Sequence, residues 1–324
     1  MKAMVCEAFG GPEVLALRDL PDPPPPGPGE VQVRIGARGV QYVDVLMLAG
    51  KYQFRPDPPF IPGREAAGTV AAVGPGVADF RTGDRVMVRL NLGAFAEMGN
   101  AKVELCDRIP DGMSMEAAGV FRGAYNTAYY ALLHRGHMVA GEWVLVHGAA
   151  GGIGIAAIHV AKLFGARVIA TASTEAKRAA CLEEGADHAI DYRGGFVDQV
   201  KELTGSRGVD LVYDPIGDKV GEESLRCLAW GGRHLILGFL GGGPTNIRSN
   251  YLLIKGIDAI GVRIGGLNEA DPALAIANMK ELTKLAAAGK LKPRISHRFR
   301  LDQAAEALHA VIDRAVIGKA VLVS

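Results

Sequence analysis

The stretch VLVHGAAGGIG, residues 144–154, sets an apolar run directly before a cluster of small residues. Within it Gly148, Gly151 and Gly154 recur every third position, at the junction between a strand pattern and a helix pattern. Missing Cβ atoms let the backbone turn sharply and come close to a pyrophosphate. The following helix then meets the anion with the unpaired first-turn N–H groups of Gly152, Ile153 and Gly154 and with its positive dipole end. The turn predicts an anionic dinucleotide. Its spacing, G-x-x-G-x-x-G, departs from the commoner G-x-G-x-x-G, so the surrounding chain has to supply the context.

That context is a parallel sheet. From about residue 123 apolar strands alternate with helical patterns, the signature of crossover connections. Six strands are readable: WVLVHG (143–148), RVIATAS (167–173), HAIDY (188–192), LVYDPIG (211–217), RHLILGF (233–239) and IDAIGVRI (257–264). Six strands make two mononucleotide-binding halves. Between them GIGIAAIHVAKLFG, EAKRAACLEEG and EESLRCLAWGG read as helices ending at glycine. Earlier, PDPPPPGPGE (21–30), RPDPPFIPG (55–63) and VGPGVADFRTGDRV (73–86) separate short β-rich runs, which reads as a small irregular β-domain. After residue 265, ALAIANMKELTKLAAAG and LDQAAEALHAVIDR read as helices, and the strand KAVLVS returns to the first domain. The fold class is therefore α/β, a doubly wound six-stranded sheet with a β-rich partner domain.

The end of the second strand selects among dinucleotides. An Asp or Glu about 20 residues after the glycines holds the adenosine ribose of NAD. The chain instead reads IATASTEAKR, with Ser173 and Thr174 as hydroxyl donors and Lys177 one turn into the next helix, where a cation meets a 2′-phosphate. Tyr192, at the end of the third strand, reaches the same phosphate or stacks near the adenine. NADPH is the expected cofactor.

With 36 basic against 35 acidic residues, no long like-charge run and no basic-aromatic stripe, neither nucleic acid nor a membrane surface is expected as a partner. The N-terminus lacks an apolar core of signal-peptide length and no window approaches the ~20 apolar residues that span a bilayer, so the chain reads as cytoplasmic. Cys6, Cys106, Cys181 and Cys227 are scattered without C-x-x-C spacing and read as inert, partly buried thiols. His134 and His137 lie close together without a third ligand and read as a solvated helix end. No metal is expected.

The segments GVQYVDVLMLAGKYQF (39–54), PGREAAGTVAAVGPGV (62–77), GDRVM (83–87), NTAYYAL (126–132), VLVHGAAGGIG (144–154), GADHAIDYR (185–193), VYDPIG (212–217) and GKAVLV (318–323) carry a resemblance over the whole length. The chain resembles the medium-chain dehydrogenase/reductase superfamily, and within it the zinc-free quinone oxidoreductases related to zeta-crystallin. The resemblance implies a GroES-like catalytic domain built from residues 1–122 and 265–324 around an inserted Rossmann domain, 123–264, with the active site in the cleft between them. In the zinc-dependent branch the position of Gln41 is a Cys and that of Arg64 a His, and a four-cysteine lobe follows near residue 90. This chain has none of these, and neither an amide nor a guanidinium is a plausible zinc ligand. Zinc-free relatives usually carry Asn where this chain has Gln41, one methylene longer.

By position, the resemblance also implies cofactor contacts from Gln41, Thr127 and Tyr130, from Ile216 and Gly217, and from Gly238 and Phe239. Without a Lewis acid, quinones and α,β-unsaturated carbonyls are the fitting acceptors, because they are already electrophilic. The cofactor carries the redox chemistry and the protein positions the acceptor. Tyr52 resembles the tyrosine that serves, or is proposed, as proton donor in related enoyl reductases; water is the alternative donor. Tyr42 lines the pocket and Asp44 braces its loop. Arg64 either braces the structure or holds a carboxylate or phosphate. NADPH-dependent quinone reduction is the leading expectation, with enoyl reduction of a 2-alkenal or acyl thioester as the alternative. An NADPH-binding structural or RNA-associated protein is the reading from another class. The sixth strand lies at a sheet edge, and an apolar edge is usually paired, so a homodimer is expected there.

Overall fold

Six parallel strands follow residue 123 in the computed structural model, which describes all residues from Met1 to Ser324. They are Trp143–Val146, Arg167–Thr171, His188–Ile190, Val209–Asp214, Leu228–Ile236 and Asp258–Gly261. Their spatial order is third, second, first, fourth, fifth, sixth. The order reverses between the first and fourth strands, where an open sheet of this kind receives its ligand beyond the carboxyl ends. Both of these central strands are buried along their whole length, which is why each reads as a continuous apolar run rather than an alternating one. Leu145, Ile169, Val212 and Leu225 are among the side chains of the core beside them.

The crossover helices include Gly152–Leu163, Glu175–Glu183, Val197–Leu203 and Asp218–Cys227. The first two end in Schellman closures: Ala166 and Ala186 donate backwards to Ala161 and Cys181 at 2.9 and 3.0 Å. The segment EESLRCLAWGG departs from its helical reading, because the helix stops at Cys227 and Leu228 opens the fifth strand. Leu228 pairs with Val209 and both Leu228 and Ala229 are buried, so burial in the sheet overrides the helical periodicity. The sixth strand is also shorter than expected, and the helix Ile264–Ala270 begins where the strand pattern was read to end.

The chain divides into two compact units, residues 124–278 and residues 1–123 with 279–324. The first boundary lies beside the expected 122/123, whereas the second falls inside the helix Pro272–Ala287 rather than at 264/265. That helix is uninterrupted, so no loop marks the change.

In the second unit the strands Ile295–Arg300, Lys319–Val323, Glu30–Val40, Glu65–Val73, Arg85–Arg89 and Cys106–Arg108 follow one another across a seven-stranded sheet; Met98–Lys102 also pairs with Glu30–Val40. Register shifts near Gln32 and Ile35 bend the long strand, as bulges do. The returning strand pairs Ala320 with Val40, which sets Lys319 next to the start of Gln41. The helix Ala304–Ile312 buries Ala304, Ala307 and Leu308, an i, i+3, i+4 stripe, against Met4, Leu48 and Leu322. No helix is long and apolar enough to cross a membrane. All four cysteines are buried.

Candidate active site

The glycine turn is as tight as its composition demands. Gly148 has φ +58°, and a Cβ built on Gly154 would collide with the Gly148 carbonyl oxygen and sit 2.6 Å from Ala149 Cα. Only glycine lets the helix start this close to the strand. The helix Gly152–Leu163 has no side-chain cap, so nothing on the chain's own side chains covers its opening amides. A cradle of bare backbone with open N–H groups fits a dinucleotide pyrophosphate.

Ser173, Thr174, Lys177, Tyr192, Ile216, Gly217, Gly238 and Phe239 follow the carboxyl ends of neighbouring strands, so the parallel sheet brings them to one edge. Ile190 pairs with Thr171, which sets Tyr192 and Ser173 two residues beyond the same rung. Thr174 caps the helix Glu175–Glu183, its Oγ1 accepting from the Lys177 N–H at 3.3 Å, and so fixes Lys177 in the first turn. Tyr192 leans on the core, and between them the sequence reading missed Asp191, which pairs with Arg178 at 3.0 Å and Arg193 at 2.6 Å. Hydrogen bonds from Arg193 hold the Asp191 carboxyl well below the usual carboxylate range.

The turn after the fourth strand meets the glycine turn directly. Ile216 Cδ1 lies 3.3 Å from where a Gly148 Cβ would be, and Phe239 Cδ1 is 3.0 Å from the corresponding point on Gly217. Backbone bonds join the two outer loops: Leu240 N–H to Pro215 O at 3.1 Å, Gly241 N–H to Ile216 O at 2.7 Å and Asp218 N–H to Gly243 O at 3.0 Å. Beneath them Asp214, fully buried, accepts from the amides of Ile216 and Gly217 at 2.8 and 2.9 Å and pairs with His234 Nε2 at 2.9 Å. Burial alone would raise this carboxyl, but His234, the nearby His147 and the Gly217 amide hold it below its ordinary range. Asp214 and His234 were not singled out in the sequence; a D-P-x-G turn signal at 214–217 was the available clue.

Nearby in the same unit, His147 bonds Thr171 Oγ1 at 2.9 Å and Ser224 Oγ at 2.7 Å, and burial pushes its imidazole down to about 4. Thr127 is half-buried on the helix Phe121–Tyr129, and Tyr130 opens a π-helical turn, Tyr130–Arg135, its ring 6.1 Å from His134. His134 is therefore packed between aromatic rings rather than solvated, and its Nε2 is buried without a partner.

The other unit gathers Gln41, Asp44, Tyr52, Arg64, Glu65 and Lys319. Gln41 precedes the helix Tyr42–Leu48 and donates its N–H to Asp44 Oδ2 at 2.9 Å, so Asp44 does brace this segment. Asp44 is completely buried; its Oδ1 has no partner, and burial pushes its carboxyl up to about 7. The helix stops in another Schellman closure, Lys51 N–H to Leu46 O at 2.8 Å, which delivers Tyr52 immediately afterwards. Arg64 donates from Nη1 to the Tyr52 hydroxyl at 3.2 Å. Glu65, also buried, accepts from Lys319 Nζ at 2.9 Å and from the Gly123 N–H at 2.8 Å. A Cβ on Gly39 would lie 2.7 Å from Glu65 Cγ, so the bare backbone there makes room for the carboxylate. Tyr42 is 37% exposed and is the outermost of the predicted pocket residues. Glu65 and Lys319 escaped the sequence reading, although each stands as a lone charge opening an apolar strand.

Residues 27–142 match the family model for the alcohol dehydrogenase GroES-like domain, and residues 152–281 match that for the zinc-binding dehydrogenase. Quinone oxidoreductase-like protein 2 of Rattus norvegicus is 36% identical over 323 residues, covering 99% of this chain and 91% of its own. The chain belongs to the zinc-free quinone oxidoreductase branch of the medium-chain dehydrogenase/reductase superfamily. Among solved structures of this superfamily, a probable oxidoreductase from Mycobacterium abscessus superposes with a TM-score of 0.92 at 36% identity, covering 100% of this chain and 99% of that one. Escherichia coli quinone oxidoreductase complexed with NADPH gives a TM-score of 0.92 at 31% identity, with 100% of both chains covered. As a member of the superfamily the chain is an oxidoreductase. No group of three or more His, Cys, Asp or Glu side chains in it could hold a metal ion.

Proposed function

We propose that this oxidoreductase reduces small quinones with NADPH and uses no metal in doing so. The bare-backbone cradle at Gly148, Gly151, Gly152, Ile153 and Gly154 is the observation that carries the reading. A nicotinamide dinucleotide held there supplies a hydride. NADPH is favoured over NADH because the second strand ends on Ser173 and Thr174 with Lys177 fixed one turn on, and no carboxylate stands at the ribose position. The Escherichia coli relative, a quinone oxidoreductase in complex with NADPH, supports the same choice.

Ser173, Thr174, Lys177 and Tyr192 bind the 2′-phosphate end. Ile216, Gly217, Gly238 and Phe239 form the wall for the nicotinamide end, aided by Thr127 and Tyr130. Gln41 orients the nicotinamide ribose or the acceptor carbonyl, Tyr42 lines the acceptor pocket, and Tyr52 donates a proton. Gln41 and Arg64 offer no zinc ligand, so polarisation falls to hydrogen bonds and to the acceptor's own electrophilicity. The enzyme works as a homodimer paired along the sixth strand of the parallel sheet, whose residues Asp258, Ala259 and Gly261 are exposed.

Stopped-flow oxidation of bound NADPH by 9,10-phenanthrenequinone and by crotonyl-CoA tests the reading. Rapid oxidation by the quinone alone is expected. Oxidation by crotonyl-CoA alone assigns the chain to enoyl reduction instead. Oxidation by neither leaves a nucleotide-binding protein without this activity.

A further inference from the structure

Arg64 is a half-buried cation that pairs with no carboxylate. Its Nη1 holds the Tyr52 hydroxyl at 3.2 Å and its guanidinium carbon lies 5.6 Å from the Tyr52 ring centre, while its Nε is buried without a partner. The acid beside it in sequence, Glu65, is engaged by Lys319 and Gly123. Asp44 accepts from the Gln41 backbone N–H and makes no hydrogen bond or ion pair with Arg64. The strand position is firm, because Leu90 donates to the Arg64 carbonyl at 2.9 Å. A fixed guanidinium with an unused N–H and no carboxylate at ion-pair distance is prepared for an anion.

Hydride addition creates such an anion. When the acceptor gains the hydride and its electron pair from the dihydronicotinamide, which is left oxidised, a new bond to hydrogen forms on the acceptor. The π pair of the conjugated carbonyl then moves onto oxygen. We propose that the Arg64 guanidinium receives this oxyanion, and that Tyr52, held by the same guanidinium, gives its hydroxyl proton to the enolate or hydroquinone anion. The tyrosinate left behind sits against Arg64 until water returns a proton. This assignment rests on the reduction proposed above. It makes Arg64 the electrophile of the reaction, a role that preorganised donors fill in other oxyanion sites.

The test uses 4-nitrophenol, which presents a phenolate oxygen and changes absorbance on ionisation, titrated with the protein in the presence and absence of oxidised NADP. Binding to the unaltered protein is expected to favour the phenolate by about tenfold or more, one unit in apparent pKa. Arg64→Gln should abolish that preference, Arg64→Lys should restore part of it, and Tyr52→Phe should leave it intact. In turnover of 9,10-phenanthrenequinone, Arg64→Gln should lower kcat/KM by about 100-fold or more, with NADPH affinity unchanged. A phenolate preference that persists in Arg64→Gln, or that is missing from the unaltered protein, overturns the assignment, as does near-normal turnover by Arg64→Gln. The two readings fail separately. A phenolate preference that depends on Arg64 in a protein reducing neither quinone nor enone sinks the reductase reading alone, whereas turnover without that dependence sinks the role of Arg64 alone.

Discussion

In the turn from Gly148 to Gly154 the surface is shaped by steric contacts between near neighbours in the chain, whereas the paired Glu65 and Lys319 of the other unit stand 254 residues apart. The first region offers open backbone amides and needs little beyond the absence of side chains. The second is built around side chains: Asp44 on the Gln41 backbone N–H, Lys319 on Glu65, Arg64 on Tyr52. A backbone site tolerates change outside its few glycines. A side-chain site is only as sound as its most distant partner.

The sharpest way to break the second region from afar is Lys319→Met, which leaves the Glu65 carboxylate buried without its ion partner. Loss of about 3–5 kcal/mol of stability is expected from denaturant unfolding. Adding Glu65→Gln should recover a large part of it in a double-mutant cycle. Purely additive effects would show that the two residues do not act as a pair.

Titration separates the regions next, because their buried groups respond to pH in opposite senses. Asp44 is raised to about 7 from its ordinary 3.8, so the folded unit holds a proton that the unfolded chain has released, and its stabilising contribution fades as pH rises from about 4 through 7. His147 is lowered to about 4 from 6.5, so its unit loses stability as pH falls through that window, on the order of 3 kcal/mol. Hydrogen exchange followed by mass spectrometry at pH 5 and pH 8 should show protection shifting from the unit that holds Asp44 to the unit that holds His147. Asp44→Asn should flatten the first trend. Parallel behaviour of the two units, unaltered in that variant, would contradict the assignment.

Gly154→Ala attacks the backbone site where its added methyl group has no room. A cost of about 1–3 kcal/mol is expected from thermal unfolding, together with loss of the fluorescence enhancement of bound NADPH. The smallest effect belongs to Thr174→Ala, which removes a helix cap worth about 1 kcal/mol and loosens Lys177. Its signature should be weaker binding of NADPH with little change for NADH, measured by calorimetry.

The same contrast explains what the sequence disclosed. The six strands and the glycine turn were legible because period, turn residues and sterics are local properties. The helix reading of LAWGG failed where burial beside Val209 outweighed periodicity, and the second boundary hid inside a continuous helix. Tyr52, Gln41 and Arg64 were reachable through family resemblance, but the bond between Tyr52 and Arg64 was not, since nothing in their separate segments encodes the approach. Asp214 and His234 were missed for a related reason: their pairing depends on where the fourth and fifth strands lie in the sheet.

The strand Lys319–Val323 lies between Glu30–Val40 and Ile295–Arg300 in the seven-stranded sheet. During synthesis every residue of the dinucleotide-binding unit leaves the ribosome before that strand does, so the parallel sheet can close while the other sheet still has a gap beside Val40. Over that interval the long strand presents an open edge, a template for wrong pairing. Closure of the seven-stranded sheet thus waits for one of the last-made strands, whose arrival also brings Lys319 to Glu65.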